Sequence, residues 1–546
     1  MKAVKLLFLL GLFSVLRARI PALSFEDPLP PETLALELTR AMSDEEVLAQ
    51  VFMLGWVGAE PSPLIMDWIR DRHIGGVKIF GWNTGDTRRL AQTVGELQKV
   101  SLAGAYGIPL LVATDQEGGW IRHVKGRTSE TPGNMAIGAS GVPRDAYLSG
   151  YYIAKELALL GINMNFAPTV DLFTNRESTL IGTRAFGSDP VQTGILGAAF
   201  MKGQQAAGVI STAKHYPGHG DTGLDSHGVL PRIDASFEAL WDRELSPYRI
   251  MSKEGLPAVM SGHLSFPHTQ AADTPASLSS YFLDEVLRER IGFKGLIITD
   301  DLMMNGATTW AGSLSRAARQ ALMAGNDVIM LSKTPSLFDP VWTTLQEAMK
   351  TDEAFRNRVR DACRRTLKLK LQYLRGETSV PPVPDLKKIE NELPDPKGSA
   401  FFLDLAARSV TVIRPAAIPV NAEEAGRVLL TGQYEDFFQA GRRAFPGAVS
   451  YWYSSSRGTS ELVSYARNAD TIIFCLSGGT DLPMLRSLEP LKKRIIVLSV
   501  LNPVYLEQVS WVDAVLAVYS YAPESFVAGF SVILGRVPGR GRLPYE

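Results

Sequence analysis

The chain has 546 residues, 45% of them hydrophobic and 21% charged, the balance of a globular protein too long for a single ordinary core. A formal net charge of −1 gives no electrostatic footprint for nucleic acid. Its two cysteines, Cys363 and Cys475, are far apart in apolar surroundings, which excludes a disulfide framework and a CxxC metal or redox motif. At the N-terminus Lys2 and Lys5 precede an apolar run at 6–16, and Ala22, Leu23 and Ser24 offer small residues for cleavage. Residues 1–24 are therefore expected to be a signal peptide or membrane anchor, with export favoured over a tethered or cytoplasmic form.

Ser43-Asp44-Glu45-Glu46 has the pattern of a capping box and predicts a helix start. Short apolar or β-branched runs bounded by Gly or Pro follow near 51–57, 75–81, 109–114, 162–170, 209–214, 257–264, 295–299 and 327–331. Helical patterns separate them, at 64–73, 88–105, 144–160, 191–207, 236–252, 280–290 and 313–324. Eight strands alternating with helices imply an α/β fold, a (β/α)8 TIM-type barrel over 25–374. Residues 375–399 hold five prolines among charges and read as a linker. Beyond it, 400–546 carries five buried-type strand patterns and reads as a smaller α/β three-layer sandwich. Neither GxGxxG nor GxxxxGK[ST] occurs there, so no nucleotide cofactor is expected.

The polar motifs fall at or just past the C-terminal ends of the proposed strands: Asp115-Gln116-Glu117, Asn165, Asp171, Lys214-His215, His263 and Asp300-Asp301. Barrel enzymes assemble their sites on that face. The densest stretch is KHYPGHGDTGLDSH, 214–227, with three of the seven histidines of the chain. Its irregular, glycine-broken spacing suits a metal site poorly, since zinc motifs hold their ligands on a rigid element, so no metal is expected. A purely structural polar loop is the blander alternative. In Asp225-Ser226-His227 an aspartate two residues before a histidine can orient the imidazole and stabilise its charged form, as proton transfer near neutral pH requires. At the end of GFKGLIITDD, one carboxylate can face the barrel mouth while its neighbour caps the next helix. Asp300 is expected to be the exposed one and Asp301 the cap. A carboxylate nucleophile with a separate proton donor suits retaining glycoside hydrolysis, but residues alone reach only a hydrolase or transferase acting on a small polar substrate.

The blocks IGGVKIF (74–80), TDQEGG (114–119), NMNFAPTVDL (163–172), IGTRAFGSDP (181–190), KHYPGHGDTGLDSH and GLIITDDLMM resemble the successive signatures of glycoside hydrolase family 3, in particular its β-N-acetylglucosaminidase branch of two-domain bacterial type. The segment GRVPGRGRLP (535–544) is similar to the end of that family's second domain. The resemblance implies Asp300 as the nucleophile that forms a covalent glycosyl-enzyme. It implies His227 as acid/base, paired with Asp225, and Asp115, Arg184, Lys214 and His215 as holders of sugar hydroxyls. In most members an Arg sits eight positions after the Asp of the second block. Here His123 occupies that place and Arg122, also carried over as substrate-binding, lies one before it. The implied activity is a retaining exo-β-N-acetylglucosaminidase acting on GlcNAc-containing oligosaccharides, with peptidoglycan fragments ahead of chitin oligosaccharides. The alternatives are a phosphorylase or β-glucosidase of the same fold, and a non-catalytic carbohydrate-binding surface protein.

Overall fold

A computed structural model describes residues 23–223, 228–454 and 458–545; most of the leader, and the Asp225 and His227 assignments, lie outside these residues. Eight parallel strands close a barrel in sequence order: β1 (Phe52–Gly55), β2 (Gly76–Ile79), β3 (Leu111–Thr114), β4 (Met164–Asn165), β5 (Ile210–Tyr216), β6 (Ala258–Ser261), β7 (Leu296–Asp301) and β8 (Val328–Leu331). All eight match the sequence expectation. Their side chains alternate between two apolar layers. Leu111, Ala113, Leu296 and Ile298 fill the barrel interior, while Val112 and Ile297 face the surrounding helices. Helix starts follow local capping chemistry: Ser43 and Glu46 form the expected capping box, and Asp86, Asp189, Ser313 and Asp352 each accept from a backbone amide of the first turn.

Two local expectations are corrected. The helix expected over 236–252 is two helices, Phe237–Asp242 and Ser246–Lys253. Arg243 leaves helical geometry between them, and Pro247 starts the second, where its missing N–H costs nothing. Asp301 is not a helix cap. The next helix, Asn305–Ala311, has Met304 at its N-cap, and Asp301 accepts instead from the amides of Met303 and Ser332, tying the end of β7 to that of β8. The proline-rich stretch 375–399 is ordered. It carries a helix, Leu386–Glu392, and lies on the barrel, with Arg127 donating to the carbonyls of Glu390 and Leu393.

The helix Pro396–Ser409 crosses from one unit to the other, and a second sheet follows with strand order β9-β14-β13-β12-β10-β11. Its strands are β9 (Thr411–Pro415), β10 (Val428–Gly432), β11 (Val449–Trp452), β12 (Thr471–Leu476), β13 (Arg494–Ser499) and β14 (Ala514–Ala517); only β9 runs antiparallel. Leu430, Ile473 and Ile496 enter one apolar layer and Leu429, Ile472 and Ile495 the other, which makes the three-layer sandwich expected. Ala517, Tyr519 and Tyr545 of this unit pack with Met135, Phe173 and Ala185 of the barrel.

Candidate active site

Strands β2, β5 and β7 and the segments that follow β3, β4 and β6 bring a cluster of ionisable groups to one end of the barrel. Lys78 sits in β2, an apolar strand apart from this one charge, and is 1% exposed. A buried ammonium needs a partner, and the Nζ of Lys78 lies 2.6 Å from Asp115 Oδ2, just past β3. The ammonium of Lys214 pairs with the other oxygen of Asp115 and lies 2.6 Å from Glu117 Oε1. Arg184 closes the group with a two-pronged bond to Glu117, Nε to Oε2 at 2.9 Å and Nη2 to Oε1 at 2.8 Å. Two carboxylates and three cations thus satisfy one another. Burial pushes both carboxyls up, but Lys214 and Lys78 hold Asp115 well below the ordinary aspartate range, and Arg184 and Lys214 bring Glu117 down to about 2. Desolvation lowers Lys78 and works against Lys214, yet Asp115 and Glu117 keep Lys214 raised.

His215 continues the group inward. Its Nδ1 lies 2.7 Å from Asp171 Oδ2, and its Nε2 faces Arg184 Nη2 at 3.4 Å. The contact with Asp171 fixes the ring orientation and turns Nε2 toward the guanidinium. In a regular strand Lys214 and His215 would point to opposite faces, but the β5–β6 register slips between Ala213 and Tyr216, and both side chains reach the mouth. Asp171 also accepts the amide of His219, and Asp221 pairs with Arg243 at 2.8 Å. Gly220 lies so close to the Leu172 carbonyl that a Cβ would sit 1.6 Å from it, so only glycine fits there. The root of the 214–227 loop is therefore pinned, and Asp221 is committed to an ion pair away from the histidines.

Asp300, the residue before the last of β7, is partly exposed. Among the described residues its hydrogen bond is from the Asp301 amide at 2.8 Å, which leaves most of its acceptor capacity free. Burial raises its carboxyl, but His215, His263, the Asp301 amide and Lys214 outweigh that and hold it below the ordinary aspartate value. His263 is itself oriented by Ser277 Oγ at 2.7 Å and the Asp301 carbonyl at 3.0 Å. The arrangement offers an ionised carboxylate beside a rigid set of charged hydrogen-bonding groups, a fit for a polyhydroxylated substrate.

The structure thus gathers Asp115, Arg184, Lys214, His215 and Asp300 as the sequence suggests. Arg122 stands apart from this group. It pairs with Glu130 at 3.1 Å and lies near Tyr521 and Glu524 of the second domain. His123 takes the inner place, its Nδ1 3.3 Å from Lys78 Nζ and 3.5 Å from Asp115 Oδ2. Burial and the Lys78 charge lower its pKa to about 4, so it is neutral near pH 7. Asn165 serves structure, exchanging two hydrogen bonds with the Gln116 backbone. Sequence reasoning missed Lys78 and Glu117 as site residues and gave Asp171 no role. The signal for Lys78 was a lone charge inside an otherwise apolar strand; that for Glu117 was its place two residues after Asp115 on the same side of a short extended segment.

A closed (β/α)8 barrel with charged pairs around an ionised aspartate at its C-terminal mouth has the layout of a barrel enzyme. Residues 44–369 match the Glycosyl hydrolase family 3 N terminal domain, and the chain belongs to that family. It is 37% identical over 281 residues to a beta-hexosaminidase of Tolumonas auensis, covering 51% of this chain and 81% of that protein. It is 29% identical over 374 residues to Beta-hexosaminidase A of Pseudoalteromonas piscicida, spanning 64% of this chain and 61% of that longer relative. A solved glycoside hydrolase family 3 beta-N-acetylglucosaminidase from Paenibacillus sp. superposes with a TM-score of 0.84 at 27% identity, covering 92% of this chain and 99% of its own.

Proposed function

We propose that this protein is a retaining exo-β-N-acetylglucosaminidase that releases terminal β-linked GlcNAc from oligosaccharides. The observation that carries this reading is Asp300, an ionised and nearly unencumbered carboxylate at the mouth, beside cation-locked Asp115 and Glu117. Asp300 attacks the anomeric carbon while His227, as imidazolium, protonates the leaving oxygen. Neutral His227 then takes a proton from water, which attacks the same face, so configuration is retained. Asp225 orients and charge-stabilises that imidazole. Asp115, Lys214, Arg184 and His215 hold the sugar hydroxyls in place through both steps. The names of the beta-hexosaminidase relatives support GlcNAc as the released sugar.

Cell-wall fragments are the natural substrate in this reading, and the apolar stretch at 6–16 supports export. Among the described residues no helix is long and apolar enough to cross a membrane. A panel of aryl β-glycosides, assayed with and without phosphate, tests the activity. Release of the aryl group from the N-acetylglucosaminide ahead of the glucoside, without acceleration by phosphate, is expected. Accumulation of a sugar 1-phosphate would instead make the enzyme a phosphorylase, and no turnover of any member would leave a carbohydrate-binding protein.

A further inference from the structure

Trp82 stands out on the barrel rim. It follows β2 at the catalytic end, in the short turn Gly81–Asn83, and is 50% exposed although tryptophan is usually well covered. Its orientation is nonetheless fixed on two sides. The indole Nε1 donates to the Trp56 carbonyl at 2.7 Å, and one face stacks on Phe80 with ring centroids 4.5 Å apart and planes 11° apart. Asn83 holds the same turn from beneath, with Nδ2 3.2 Å from the Trp56 carbonyl. The other face of a rigid indole is thus presented to solvent.

The shelf is continuous with the charged pocket. Phe80 lies 4.3 Å below the Lys78 ammonium, which pairs with Asp115, and its ring is 5.8 Å from His123, which also faces Asp115. A ligand ring gripped by Asp115 therefore has the Phe80–Trp82 stack as its neighbour. A pyranose presents a face of C–H groups that packs flat on an aromatic ring, and an immobilised ring gives up little freedom when it binds one.

We propose that Trp82 is the platform of a second sugar subsite, stacking the pyranose next to the one held by Asp115. The inference rests on the glycosidase reading for the chemistry of its ligand. His123, a neutral imidazole, forms the inner wall of this subsite beside Phe80.

Calorimetry in an Asp300→Asn background, in which turnover should be abolished, compares GlcNAc with N,N′-diacetylchitobiose. Trp82→Ala should weaken the disaccharide by about tenfold while leaving GlcNAc within about twofold, as expected for losing one aromatic contact. Trp82→Phe keeps a ring and should fall between wild type and Trp82→Ala for the disaccharide, again without moving GlcNAc. Equal losses for both ligands, or unchanged disaccharide binding in both variants, overturns the subsite. A protein inactive on aryl N-acetylglucosaminides would fail the catalytic reading instead, and the contrast between one ring and two would still be measurable by heat.

Discussion

The two sides of the barrel mouth are built on opposite plans. On the β2–β3–β5 side, Asp115 and Glu117 are locked by Lys78, Lys214 and Arg184, and nearly every charge has a partner at contact distance. On the β7 side, Asp300 is held by one backbone amide and by the more distant fields of His215 and Lys214. A fully paired cluster is rigid and costly to disturb, which suits recognition of a ground-state sugar. A carboxylate kept ionised without being occupied is free to form a new bond as the reaction proceeds. The first kind of group acts mainly on KM and stability, the second on kcat.

Substitutions can break that contrast. The largest effect is expected from Asp300→Asn, which should abolish turnover while leaving the melting temperature and GlcNAc binding nearly intact. His227→Ala should lower kcat by ~10²–10⁴-fold, the usual cost of losing a positioned acid/base, and flatten the pH–rate profile. Lys214→Ala attacks the locked side. It leaves buried Glu117 and half-buried Asp115 short of a cation, so roughly 3 kcal/mol of stability should be lost in urea unfolding, together with a raised KM. Equal damage to kcat and stability from Asp300→Asn and Lys214→Ala would erase the distinction.

A smaller effect sharpens it through pH. Glu117 falls from an ordinary 4.5 to about 2 in the fold, so the stability it contributes is complete above pH 4.5 and lost as pH drops toward 2. Glu117→Gln should remove that part of the acid transition when urea midpoints are followed from pH 5 downward. Asp300 also titrates below its ordinary value, so its protonation should not limit kcat/KM until the pH has fallen below the ordinary aspartate range.

Much of this was legible in the sequence because strands and glycine-bounded turns leave local signatures. All eight barrel strands could be placed, and Lys214, His215 and Asp300 could be put at the barrel mouth because charges at strand ends in a barrel have one natural destination. What stayed hidden depends on contacts between distant segments. Asp301 looks like a helix cap beside its own helix, but its partners include Ser332 from the next strand. Arg122 and His123 are adjacent in sequence, and only the fold sends one toward Glu130 and the second domain and the other toward Asp115. The stretch 375–399 has a linker's composition, yet its prolines and the Leu386–Glu392 helix find a barrel surface to lie on.

The account turns on the bond to Asp300. Incubating the protein with a 5-fluoro N-acetylglucosaminyl fluoride, then mapping peptides by mass spectrometry, asks directly whether that bond forms. The expected result is one added glycosyl unit on the peptide that carries Asp300, absent after Asp300→Asn. Release of GlcNAc from substrates with no adduct on Asp300, or an adduct on another residue, would contradict it.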